Sequence, residues 1–156
     1  MLTQFFTCVT KDRMPFFTKN DPDFVSIIVD SLAFFNSRDD FIIHAISIMP
    51  NHVHLLISMI DIRYEFQIRF FRFTTKKILE ANKQRALENR VHFEVNRCDR
   101  KHQVWRKRFK DIRVRDARAF YAIQNYIKRN PESKYWKNRC CDQSFPSLKI
   151  SPRFPN

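Results

Sequence analysis

The chain has 156 residues, 44% of them hydrophobic and 29% charged, which suits one folded domain with a modest core and argues against disorder. Its net charge is +13, and it contains no glycine. The missing glycine excludes Gly-rich phosphate loops and dinucleotide fingerprints, which argues against a nucleotide-hydrolysing enzyme.

Leu2 to Thr10 is rich in β-formers and reads as a strand. Lys11 to Pro22 reads as a loop. Without glycine, left-handed turn positions are expected to fall to Asn and Asp. Phe24 to Phe35 repeats its apolar residues at helical spacing, and Asn36 to Asp40 breaks the pattern. Phe41 to Ile48 is apolar and β-branched, Met49-Pro50-Asn51 connects, and His52 to Ile60 is the next strand, so the two form an antiparallel pair. Tyr64 to about Lys83 reads as a long helix with Phe66, Phe70, Phe73 and Lys77 along one line. Arg90 to Arg115 reads as short strands and a basic loop. Asp116 caps a helix that runs to Lys128 or Arg129 and brings Ala119, Ile123, Tyr126 and Ile127 near one face. Pro131 stops that helix. The tail beyond it, with Pro146, Pro152 and Pro155, is expected to be poorly ordered. The order predicts an α+β fold, a ferredoxin-like antiparallel sheet with helices packed on it.

The basic charge is concentrated in one part of the chain. Residues 1–60 carry four basic and six acidic side chains, whereas residues 61–156 carry 25 and 10. The densest run, Arg97 to Arg115, has nine basic and two acidic residues, with Trp105 and Phe109 among them. Cations release counterions from phosphates and aromatic rings stack on bases, so the composition points to a nucleic-acid partner. Cys8, Cys98, Cys140 and Cys141 form no CxxC pair, which argues against structural zinc and for reduced thiols. No apolar run approaches the ~20 residues that span a bilayer. Met1 to Thr10 lacks the marks of a signal peptide.

Two places carry candidate chemistry. In a strand, His52 and His54 project side by side on one face, a suitable pair of metal ligands, while Val53 points to the other face. Two histidines so spaced are also common without function. Tyr126 and Asn130 are four residues apart on a helix and share a side if the helix persists to Asn130. A tyrosine hydroxyl, with a pKa near 10, is a poor nucleophile unless a metal or cation assists it.

Together these residues carry a resemblance. The run from His44 through Met49-Pro50-Asn51-His52-Val53-His54 to Ile57 resembles the signature of the REP-associated tyrosine transposases, relatives of the insertion-sequence-200 transposases, in which two histidines flank a bulky hydrophobic residue (HUH). Phe71-Arg72-Phe73-Thr74-Thr75-Lys76-Lys77-Ile78 is similar to the family's basic helix segment. Val104-Trp105-Arg106-Lys107-Arg108-Phe109 resembles its Trp-centred strand, and Tyr126-Ile127-Lys128-Arg129-Asn130-Pro131 resembles its Tyr-Ile-x-x-Asn-Pro motif. The similarity covers roughly residues 3–136. It departs after Pro131, where this chain reads Glu132-Ser133-Lys134-Tyr135-Trp136 and the family often continues with a small, glycine-containing segment. Arg106 stands where glutamine is common.

The resemblance implies an enzyme that cleaves and rejoins single-stranded, hairpin-bearing DNA through a 5′-phosphotyrosine. Tyr126 is then the nucleophile, and His52, His54 and Asn130 hold a divalent metal, magnesium or manganese. Arg72, Lys76, Lys77, Trp105, Arg106, Lys107 and Arg108 would contact DNA. A catalytic domain over 1–136, a tail over 137–156, a cytoplasmic, nucleoid-associated location, and either monomer or homodimer are the accompanying expectations. A non-catalytic DNA- or RNA-binding module on the same fold is the alternative.

Overall fold

A computed structural model describes residues 1–38, 41–61, 65–107 and 110–155. Six strands are defined: β1 (Leu2–Val9), β2 (Phe41–Met49), β3 (His52–Met59), β4 (Glu94–Arg97), β5 (Arg100–His102) and β6 (Lys110–Arg113). Three α-helices, α1 (Pro22–Ser37), α2 (Phe66–Gln84) and α3 (Ala117–Arg129), accompany them. The main sheet runs β2-β3-β1-β6, antiparallel throughout, and β4 and β5 form a separate hairpin. That strand order is the ferredoxin-like arrangement anticipated from the sequence.

The sheet is covered on both faces, and strand alternation sorts its residues between two cores. Phe6, Cys8, Ile48, Val53, Leu55 and Ile57 face the large core with Ile28 and Leu32 of α1 and Phe66, Phe70 and Ile78 of α2. Phe5, Ala45 and Leu56 face a smaller core with Phe120 and Ile127 of α3. His52 and His54 have the parity of Leu56, so they sit on the α3 side. The β2–β3 connection is Pro50-Asn51, with Met49 paired to His52. β2 carries a bulge between Ile43 and Ala45.

Three expectations change. The buried stripe of α2 is Phe66, Phe70, Thr74, Ile78 and Asn82, and Phe73 is only half-buried. Thr74 earns its place by hydrogen bonding: its hydroxyl donates to the Phe70 carbonyl at 2.7 Å and accepts from Trp105 Nε1 at 2.9 Å. Apolar spacing alone does not reveal such a residue. Tyr64, the expected start of that helix, lies outside the described residues, and the helix begins at Phe66.

The C-terminal tail is not loose. Phe145 and Leu148 are buried in the large core. Gln143 pairs with both backbone groups of Ile48, accepting from its N–H at 3.0 Å and donating to its carbonyl at 2.9 Å. Ile150 bridges Ile43, with the Ser151 N–H donating to the Ile43 carbonyl at 2.8 Å. The tail thus runs along the outer edge of β2. Prolines exclude a regular ladder strand there but leave isolated pairings open.

The left-handed positions also differ. The positive φ values among the described residues are Asp12 at 51° and Arg13 at 56°. The aspartate fits the expectation for a chain without glycine, whereas the arginine does not.

Candidate active site

The histidine pair is set by β3 and tuned by its neighbours. His52 Nε2 and His54 Nε2 lie 3.1 Å apart. His52 Nδ1–H donates to Asn51 Oδ1 at 2.7 Å, which leaves a lone pair on Nε2. His54 Nδ1 contacts the Thr7 hydroxyl of the adjacent β1 at 3.1 Å. That hydroxyl can donate or accept, so His54 can present Nε2 as an N–H toward His52 or as a second lone pair. Burial, then the charge of Arg13, pushes His52 down to about 4. Burial, then His52, pushes His54 down to about 3. Both imidazoles are neutral at pH 7, the state a metal ligand requires.

This pair fits a cation. Metal–nitrogen bonds of about 2.0–2.1 Å that open at a right angle to a tetrahedral angle place two nitrogens about 2.9–3.4 Å apart, and the observed 3.1 Å lies in that range. Hydrogen-bonded Nδ1 atoms hold both rings in orientation, as outer partners of metal-binding histidines do. No cluster of three or more His, Cys, Asp or Glu side chains is found among the described residues, and the amide of Asn130 lines the same cleft as the histidine pair.

Helix α3 brings the tyrosine to the same point. Asp116 caps the helix by accepting from Ala119 N–H at 2.8 Å. Asn130 keeps helical geometry (φ −57°, ψ −44°) and its N–H reaches the Tyr126 carbonyl, so the two side chains share a side. Tyr126 is half exposed, and its Oη is 3.5 Å from His54 Nε2. Tyr121 and Tyr135 are also exposed but do not line this cleft.

His52, His54, Tyr126, Asn130 and Arg106 line one cleft of about 540 Å³. Arg13, Lys110, Thr7, Val9 and Trp136 complete it, and sequence reasoning assigned none of them a role there. Lys110 fell within the basic run, and Trp136 stood where the chain departs from the family pattern. For Arg13 the sequence held no signal, because its place comes from the left-handed turn after β1.

The proposed DNA-contacting residues divide. Arg72, Lys76, Arg106 and Lys107 rim a second cleft of about 440 Å³ between α2 and β5. Arg106 lines both clefts and so stands between them. Lys77 is elsewhere, over the Phe73 ring toward α1. Trp105 also lines that cleft, but it is 4% exposed, stacked on Phe71 and donates its N–H to Thr74, so most of its surface is turned inward. Arg108 lies outside the described residues.

None of the curated proteins matches the chain. A solved REP-associated tyrosine transposase bound to a REP hairpin is 21% identical over 86% of this chain and 68% of that one, with a TM-score of 0.58. A Deinococcus radiodurans R1 protein assigned as a transposase is 17% identical over 90% and 92%, with a TM-score of 0.50. Both are similar in fold. The family model described as Transposase IS200 like matches residues 2–130, and on that match the chain belongs to the IS200-like transposase family.

Proposed function

We propose that the chain cuts and rejoins single-stranded, hairpin-bearing DNA with Tyr126 as nucleophile. The observation that carries this reading is the convergence of Tyr126 Oη on His54 Nε2 at 3.5 Å, beside a histidine pair 3.1 Å apart. His52, His54 and the Asn130 side chain would hold a divalent cation. When bound, it supplies charge that polarises a phosphate oxygen. Magnesium or manganese is what the family resemblance implies, and a pair of imidazoles also suits zinc or nickel.

The chain's own residues do the rest. Arg13, Arg106 and Lys110 surround the cleft and offset phosphate charge there. Tyr126 Oη forms a bond to phosphorus and loses its proton, the bond to the 3′-oxygen breaks, and that oxygen takes up a proton. The product is a 5′-phosphotyrosine and a free 3′-hydroxyl. Attack by a 3′-hydroxyl reverses the exchange and restores the phenol. The phosphodiester energy stays in the tyrosyl ester, so no nucleotide is consumed, in keeping with a chain that has no phosphate loop. The relative with a bound REP hairpin supports a hairpin-bearing substrate.

Tyr126→Phe keeps the ring and its packing and removes the attacking oxygen. We expect it to fold and bind labelled hairpin DNA as the wild type does, yet to give no protein–DNA adduct on a denaturing gel with manganese. An adduct that persists in this variant removes Tyr126 from the mechanism. A wild type that forms no adduct with any divalent metal favours the binding-module alternative.

A further inference from the structure

The turn after α3, residues 133–139, makes a third cleft of about 370 Å³ that opens beside the histidine cleft. Arg13 and Trp136 line both, so the two are neighbours. Among the described residues no acidic side chain lines either, and the cleft after α3 adds the cations Lys19 and Arg139. Tyr135 is 61% exposed at its mouth, and the Arg139 guanidinium lies 4.4 Å from its ring centre. Trp136 meets the edge of Tyr135 at 4.5 Å on one side and His52 at 5.7 Å on the other.

This arrangement is built rather than incidental. Arg139 and Cys140 N–H groups both return to the Trp136 carbonyl, at 2.8 and 3.1 Å, and Thr18 bridges Cys140. The loop opposite is pinned by the Thr10 hydroxyl, which lies 2.9 Å from both the Met14 and the Asn51 carbonyls. Between those pins Asp12 and Arg13 hold left-handed geometry, which is unfavourable at non-glycine residues and persists only where the surroundings fix it. The strained turn places the Arg13 cation at the seam of the two clefts.

We propose that Tyr135, Arg139 and Lys19 form a stacking platform for the single strand that flanks the scissile phosphate, with Arg13 holding the phosphate between platform and active site. The proposal rests on the transposase reading for the identity of that strand. Aromatic rings and guanidinium planes accept any base, and cations track the backbone. The aromatic segment occupies the place where this chain departs from its family's usual sequence, so the platform is a feature of this protein's own recognition.

The test compares two fluorescein-labelled hairpin DNAs, one with short thymidine tails and one with tails of abasic residues, by anisotropy. We expect the wild type to prefer the thymidine tails. Tyr135→Ala should weaken binding to them about five-fold or more, and Tyr135→Phe should stay within about two-fold of wild type, because stacking needs the ring and not the hydroxyl. Binding to abasic tails should be unchanged in both variants. Equal wild-type affinity for the two DNAs, or undiminished tail preference in Tyr135→Ala, overturns the platform. A Tyr135→Ala protein that loses tail preference while the wild type forms no adduct supports the platform and defeats the transposase reading. Intact adduct formation with unchanged tail binding does the reverse.

Discussion

His44 shows how one side chain ties three elements together. Its Nδ1–H donates to the Ser151 carbonyl at 2.6 Å, and its Nε2 accepts from Ser58 Oγ at 2.7 Å, which in turn lies 2.7 Å from Thr3 Oγ1. The ring is neutral in this network and buried. Burial pushes its pKa below the ordinary histidine value, against a smaller opposing effect of the Ser151 carbonyl. The sign follows from proton linkage. Below about pH 6.5 the unfolded chain binds a proton that the folded one resists. The His44 contribution is therefore complete above that pH and falls away as pH drops through the lowered folded value. We expect the melting temperature to fall between neutral and mildly acid pH, and His44→Gln to flatten that fall. An unaltered slope in the variant would show that the proton is taken up elsewhere. Ser47, on the same sheet face, has a buried hydroxyl without a hydrogen-bond partner, and its neighbour across the strand is His54. A polar residue in that position is unfavourable for packing alone.

Helix α3 carries the tyrosine, and its cap can be tested apart from its chemistry. Asp116→Ala removes the acceptor for Ala119 N–H and should cost about 1 kcal/mol of stability. Adduct formation below the melting temperature should survive, because Tyr126 sits at the opposite end of the helix. Loss of the adduct without loss of stability would mean that the cap acts on the site. The major elements were legible from the sequence because helices cover both faces of the sheet. Apolar residues mark such strands, and helical spacing marks α1. The segment between α2 and α3 was legible only as short strands and a basic loop. All four β6 residues are exposed, and β4 and β5 pair outside the main sheet, so apolar alternation has little to act on there. In the cleft, strand and helix periods made His52 with His54 and Tyr126 with Asn130 legible as two same-side pairs, and it was the family resemblance that joined them into one site. Arg13 and Trp136 were not, since loops and tertiary contacts bring them in.

The whole molecule depends on its tail. β2 is an outer strand of the sheet, and unpaired edge groups invite association with other chains. Residues 143–151 cover that edge and send Phe145 and Leu148 into the core. Burying two such side chains contributes roughly 3 kcal/mol or more, a large share of a typical domain's stability. Deleting residues 137–156 should therefore lower the melting temperature and promote aggregation, read by calorimetry and light scattering. A truncated chain that melts like the full one would show that the tail is a passenger. The tail also grips α3. Gln124 Nε2 donates to the His44 carbonyl at 3.2 Å and to the Pro152 carbonyl at 3.1 Å, while Phe154 packs on Phe120. In the proposed reaction this grip acquires a mechanical meaning. A strand joined to Tyr126 is a tether, and any pull on it enters the protein through α3. The helix is clamped between sheet and tail at Gln124 and Phe120, about half a turn to two turns before the attachment point, so tension is passed to the main body instead of peeling the helix away. The last residues of the chain would then serve as the brace of a covalent joint.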